Sequence, residues 1–86
     1  MTIHLHRDFK KRFQTLKSGE QRAFQDRRDL FMSDQFHHLL NNHALKGRWN
    51  GWRSINIAGD LRVIFKEIDP AMYLFFQIGT HHELYG

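Results

Sequence analysis

Three apolar stretches in the C-terminal half, residues 51–57, 61–67 and 72–78, constrain the fold of this chain more than any other feature. Each is dense in Ile, Val, Leu, Phe, Met, Tyr or Trp, and turn residues separate them: Ala58-Gly59-Asp60, then Asp69-Pro70-Ala71. β-branched and aromatic runs of this length, punctuated by Gly, Asp and Pro, read as successive strands of an antiparallel sheet. A sheet with one apolar face has to cover it with another layer.

The N-terminal half supplies that layer. Phe9, Phe13 and Leu16 lie four and then three residues apart, one stripe of a helix over about 7–17. Ser18-Gly19 is placed to end it, because Gly tolerates the left-handed cap. Ala23, Phe24, Leu30 and Phe31 give a second helix over about 20–32, and so short a connection makes the pair an antiparallel hairpin. Residues 2–6 alternate as a short strand. Residues 33–48 read as irregular, pinned to the body by Leu39, Leu40 and Leu45. The expectation is one α+β domain over residues 1–86: an N-terminal strand and an α-helical hairpin packed on an antiparallel sheet of three to four strands. A chain of 86 residues buries only roughly 60% of its unfolded surface. Its eight Phe therefore carry much of the core.

The register follows from the first turn. With a three-residue loop, Ile57 faces Leu61, Asn56 faces Arg62 and Ile55 faces Val63, and opposed residues share a face. One face then carries Ile55, Ile57, Leu61 and Val63, suited to the helices. The other carries Asn56 and Arg62, with Ser54 and Ile64 beyond. On the last strand, Leu74, Phe76 and Ile78 alternate with Tyr73, Phe75 and Gln77, and Gln77 joins Asn56 and Arg62. A helix-free sheet face that is polar, cationic and partly aromatic is expected.

A formal charge of +4 favours an anionic partner: nucleic acid, an acidic protein or a membrane surface. There is no Cys, which excludes disulfides and thiolate metal sites. No apolar run approaches the roughly 20 residues of a membrane span, and residues 1–13 lack a signal-peptide apolar region; a cytoplasmic protein is expected. Seven His raise the question of metal. His4 and His6 share a strand face, and His37-His38 and His81-His82 are adjacent pairs, but no helical His pair brackets a Glu, so neither a metal nor another cofactor is expected. Gly-rich phosphate loops and Ser nucleophile elbows are absent from the sequence.

What remains is chemistry at a phosphodiester. Transesterification of RNA needs a base for the 2′-OH proton, a cation for the charge at phosphorus and an acid for the leaving 5′-oxygen. His suits the proton transfers near neutral pH, Arg the phosphate oxygens, and Asp can orient or tune an imidazole. His81 follows the last strand, Arg62 opens the middle one, Asp60 sits in the turn beside it, and His43 lies in the loop entering the hairpin. Tyr85 can stack on a base or hold a phosphate, and Arg53 is a second cation. Each also has a structural use: Asp60 in a turn, His81 at a strand end, Tyr85 packed on the sheet, and Trp49 and Trp52 partly buried rather than stacked on bases.

Four segments in order carry a resemblance: His43-Ala44-Leu45-Lys46-Gly47, Gly51-Trp52-Arg53, Gly59-Asp60-Leu61-Arg62-Val63-Ile64-Phe65 and Gly79-Thr80-His81-His82-Glu83-Leu84-Tyr85. Together they span about half the chain and resemble the RelE/ParE toxin superfamily, closest to its YafQ-type branch. The resemblance implies the toxin of a type II toxin–antitoxin pair and a ribosome-dependent mRNA endoribonuclease that cuts without a metal. By matching position it places His43, Asp60, His81 and Tyr85 in catalysis or substrate binding, and Arg62 on the arginine of the RelE-like strand. Two positions depart from the branch: Asn56 stands where it has a His, and Gln77 where it has an Arg, so Arg62 would have to serve as the clamp. The partners implied are an acidic, partly disordered antitoxin, the ribosome with its mRNA, and operator DNA through the antitoxin. Two other outcomes stay open, a ParE-like inhibitor of DNA gyrase and a degenerate toxin that only binds its antitoxin.

Overall fold

All three apolar stretches are strands, and two run further than the sequence suggests. The computed structural model describes all 86 residues. In chain order the elements are β1 (Thr2–Leu5), α1 (Arg7–Gln14), α2 (Ser18–Ser33), β2 (His43–Ala44), β3 (Arg53–Ala58), β4 (Leu61–Asp69), β5 (Met72–Thr80) and α3 (His81–Tyr85). Single 3₁₀ turns occupy His38–Leu40 and Gly47–Trp49. The strands form one sheet in the order β1-β5-β4-β3-β2. It has five strands, not three or four, and it is mixed: β1 pairs with β5 in parallel, Ile3 opposite Tyr73. A parallel neighbour requires a long connection, and here the whole helical hairpin and the β2–β4 segment lie between the two strands.

The helical hairpin covers one sheet face. Phe9, Phe24 and Phe31 reach Ile55, Val63, Phe65 and Phe75 in a single buried cluster. The Phe31 ring lies edge-on to Phe65 at 5.2 Å and to Phe75 at 5.4 Å, the arrangement that aligns the positive edge of one ring with the negative face of another. α1 stops at Gln14, three residues earlier than expected. Ser18-Gly19 does not end it but opens α2, where the Lys17 N–H donates to Glu20 Oε1 at 3.1 Å and caps the helix. First-turn N–H groups have no intrahelical partner, so Gly there loses no helical hydrogen bond. In the segment before β2, Leu40 is buried and Leu45 half-buried, but Leu39 is 47% exposed and pins nothing.

Two bulges correct the expected register. Asn56–Arg62 and Ile55–Val63 pair as the sequence suggests, but Ala58, not Ile57, faces Leu61. The loop is the two residues Gly59-Asp60, with Gly59 at φ +51°, a value that favours Gly. Ile57 is the extra residue and stays buried. On β5 the ladder shifts between Phe75 and Gln77, leaving Phe76 unpaired. That single residue changes the phase: Tyr73, Phe75 and Ile78 all enter the core, whereas simple alternation separated Ile78 from the other two. Phe76 packs instead with His6 at 4.7 Å and Trp52 at 5.0 Å.

The second sheet face is not helix-free. α3, missed in the sequence, lies against β5, and Leu84 and Ile64 are buried there outside the main cluster. The face is therefore partly covered, and a cleft opens beside α3.

Candidate active site

The Gly79–Tyr85 segment is built as a capped single turn. Thr80 Oγ1 accepts from the Glu83 N–H at 3.2 Å, and Glu83 Oε1 accepts from the Thr80 N–H at 2.8 Å, so each residue satisfies a donor of the other. A Cβ on Gly79 would meet Glu83 Oε1 and Leu84 Cδ2, both at 3.3 Å; the turn folds back over a residue without a side chain. Arg12 from α1 donates through Nη2 to both oxygens of Glu83 at 2.9 Å. The Thr80 N–H, and after it the Arg12 guanidinium, hold the Glu83 carboxyl below the usual Glu range. At the other end, the Leu84 carbonyl accepts from Arg48 Nη2 at 2.7 Å and Trp49 Nε1 at 3.2 Å. The 47–49 turn is thereby latched to the end of α3.

His81 is the first residue of α3, exposed, its own N–H donating to the Asp60 carbonyl at 3.2 Å. Tyr85, four residues on and so on the same helix face, sets its ring against the imidazole at 4.7 Å. Beside them opens a cleft of about 340 Å³ whose walls include His43, Arg62, His81 and Tyr85. Asn41, Leu45, Lys46 and Trp49 complete the wall, and no Asp or Glu lines it, so the cleft is cationic. Imidazole and guanidinium groups from β2, β4 and α3 thus face one hollow.

His43 reaches it through local geometry. Asn41 turns the chain at φ +45°, and its carbonyl lies 2.7 Å from His43 Nδ1. A carbonyl only accepts, so Nδ1 carries the proton and neutral His43 keeps its lone pair on Nε2. Arg62 Nη1 donates to the Gly59 carbonyl at 2.8 Å and, weakly, to the Leu61 carbonyl at 3.4 Å, which fixes the guanidinium while Nη2 makes no bond within the chain.

The other residues named from the sequence lie elsewhere. Asp60 sits in the exposed turn; its carboxylate makes no hydrogen bond or ion pair, and it meets His81 through its main-chain carbonyl. Asn56 pairs opposite Arg62 but does not line the cleft, and its Oδ1 is buried without a partner. Gln77 faces a neighbouring hollow of about 240 Å³ shared with Asp8, Arg12 and Glu83. Arg53 is remote: it pairs opposite the core residue Phe65, hence on the helix side, bonds Asn42 Oδ1 at 2.8 Å and lies over Phe36. Trp49, read from the sequence as partly buried, is half-buried and also lines the cleft; Lys46, Arg12 and Glu83 carry no role in the sequence reading. For Glu83 a signal exists, the Thr80-x-x-Glu83 capping pattern; for the others none does. No group of three or more His, Asp or Glu side chains gathers as metal ligands.

The family described as "Bacterial toxin of type II toxin-antitoxin system, YafQ" matches residues 1–86. No curated protein matches the chain. Among solved structures, the chain is similar to YafQ from E. coli strain BL21(DE3), with a TM-score of 0.82 and 20% identity over 98% of this chain and 97% of that one. It is similar to a chain of the E. coli DinJ-YafQ toxin-antitoxin complex, with a TM-score of 0.78 and 22% identity over 98% of this chain and 96% of that one. It is also similar to a chain of the archaeal RelE-RelB complex from Pyrococcus horikoshii OT3, with a TM-score of 0.73 and 19% identity over 92% of each. At these identities the structural likeness establishes the RelE-like fold.

Proposed function

Because the chain belongs to the YafQ family of bacterial type II toxin–antitoxin toxins, we propose that it is a ribosome-dependent mRNA endoribonuclease acting by 2′-OH transesterification. The observation that carries this reading is the shared cleft of His43, Arg62, His81 and Tyr85. His43 Nε2, free because Nδ1 is committed to Asn41, takes the 2′-OH proton. The 2′-oxygen attacks phosphorus, and the negative charge that builds on the phosphoryl oxygens is met by Arg62 and Lys46. The P–O5′ bond breaks, and protonated His81 gives its proton to the leaving 5′-oxygen, leaving a 2′,3′-cyclic phosphate and a 5′-hydroxyl. Tyr85 holds the His81 ring and offers a surface to the adjoining base.

Asp60 acts through its carbonyl on the His81 N–H rather than by tuning an imidazole. Asn56 and Gln77 supply neither a base nor a clamp in the cleft, and Arg53 lies on the wrong face to touch the substrate there. The reaction as written uses side chains alone. The carboxylate-free cleft suits two polyanions in turn. One is mRNA on the ribosome. The other is an acidic antitoxin folding over the same surface, as the E. coli relative is solved in complex with DinJ; operator DNA would be reached through that antitoxin.

Induction of the chain in growing cells, with mapping of mRNA 5′ ends, tests the reading. Discrete cleavage with growth arrest, both lost in His81→Ala, is expected. Growth arrest with intact mRNA and inhibited supercoiling by purified gyrase would replace it with gyrase inhibition, which needs no imidazole. No arrest at all would leave only antitoxin binding.

A further inference from the structure

We propose that Arg12, on α1 and outside the cleft, is a positioning residue for His81; this rests on the reading of His81 as the group that protonates the leaving oxygen. α3 is five residues long, too short to hold its own shape. Its direction is set by how its first turn is tied down. The tie is Glu83: one oxygen accepts the Thr80 N–H at 2.8 Å, and both accept Arg12 Nη2 at 2.9 Å. Arg12 is itself fixed, its Nη1 donating to Thr15 Oγ1 at 2.7 Å and that hydroxyl to the Arg12 carbonyl at 2.7 Å. A guanidinium held on one side by α1 and on the other by Glu83 therefore joins the main helical layer to the turn that starts with His81.

Both partners are well exposed, at 38% and 44% of their side-chain surface, and an exposed ion pair adds little to overall stability. Its effect is geometric. Gln77 opens onto the same hollow as Arg12 and Glu83 yet makes no hydrogen bond to the carboxylate, so Arg12 is the one side chain that holds it, beside the main-chain N–H of Thr80. Loss of Arg12 leaves Glu83 free to turn away from Thr80, and the imidazole then samples directions that miss the leaving oxygen. Misplacement of about 1 Å in a reacting group costs on the order of 10²-fold in rate.

The test compares wild type, Arg12→Ala, Arg12→Lys, Glu83→Gln and the Arg12→Ala/Glu83→Gln double variant in a purified translation reaction. Single-turnover cleavage rate is read against ribosome concentration, and amide hydrogen exchange is measured on the free proteins. The expected result is a cleavage rate about 10- to 100-fold lower in Arg12→Ala, with half-saturation unchanged. Arg12→Lys should recover part of it, and the double variant should be no slower than the slower single. Amides of 82–85 should exchange faster in Arg12→Ala while those of β3–β5 do not. The proposal is overturned by an unchanged rate, by an effect confined to half-saturation, by multiplying losses in the double variant, or by faster exchange throughout the sheet. Should wild type cleave nothing, the functional reading falls, and exchange in 82–85 alone decides whether Arg12 positions α3.

Discussion

Tyr85 lies one helical turn beyond His81, and its ring meets the imidazole edge-on at 4.7 Å. The tyrosine hydroxyl is buried without a hydrogen-bond partner, so the ring, not the hydroxyl, is what His81 rests on. Tyr85→Ala is expected to cut mRNA cleavage by about 10²-fold, the scale of a misdirected catalytic group. Tyr85→Phe removes an unpaired buried polar group and is expected to leave stability unchanged or raise it by up to about 1 kcal/mol in denaturant unfolding. A clear loss of stability in the phenylalanine variant would mean that the hydroxyl is bonded after all.

His43 and His81 differ in what surrounds their rings, and that difference is measurable without substrate. The 2.7 Å contact of His43 Nδ1 with the Asn41 carbonyl holds the Nδ1–H tautomer. Long-range ¹H–¹⁵N spectra of the neutral imidazoles are expected to show His43 protonated at Nδ1. The Nε2–H form in those spectra would rule out His43 Nε2 as the base. His43→Ala is expected to lower cleavage by about 10²–10⁴.

Gly79 is buried beneath the α3 turn, where a Cβ would press on Glu83 Oε1 and Leu84 Cδ2 at 3.3 Å. Neither neighbour is free to yield, since Glu83 is tied to Thr80 and Arg12 and Leu84 is buried. Gly79→Ala is expected to cost about 1–2 kcal/mol in chemical unfolding, as overpacking does. It should also slow cleavage more than a stability-matched change in α2. Equal effects of the two changes would separate the turn from catalysis.

Ser54 is fully buried on β3, and its Oγ has no partner. It sits opposite His43 and Ile64, where a methyl group would fit as well as a hydroxymethyl. Ser54→Ala is expected to raise stability by up to about 1 kcal/mol, since an unpaired buried hydroxyl is a cost. A fall in the unfolding midpoint would contradict this.

What could be read from the sequence was whatever is local. The β3–β4 turn announces itself in Gly59-Asp60, and with it the Asn56–Arg62 pairing that places Arg62 on the cleft side. The helical stripes of Phe9 and Phe24 are equally plain. The bulge at Phe76 is not, because an extra residue in a strand is selected by what packs on it, here His6 and Trp52. β1 against β5 joins segments about seventy residues apart, and the bond from Arg12 to Glu83 spans 71; no short-range pattern encodes either. α3 is too short for periodicity to betray it, and only its Thr80–Glu83 cap left a trace. Arg53 can be named from the sequence as a second cation, but alternation from Ile55 places it on the helix side of the sheet, away from Arg62.

Glu83 gives the structure a pH dependence whose sign is fixed. Its folded carboxyl is held below the ordinary Glu value, about 4.3, by the Thr80 N–H first and Arg12 second. Between the two values the unfolded chain binds a proton that the folded chain does not, so stability rises with pH there. The contribution is complete above the ordinary value and disappears as pH falls through the lower, folded one. Glu83→Gln lacks it at every pH. The stability gap between wild type and Glu83→Gln should therefore be flat from neutrality down to about pH 5 and should shrink below about pH 4.3. Asp8 shares the hollow but is present in both proteins, so its own titration largely cancels in the difference. Urea unfolding of the two proteins across that range reads the gap directly. A gap that widens in acid would mean that protonated Glu83 is the form the fold prefers, and the cap from Thr80 and the fork from Arg12 would not be the interactions that hold α3 in place.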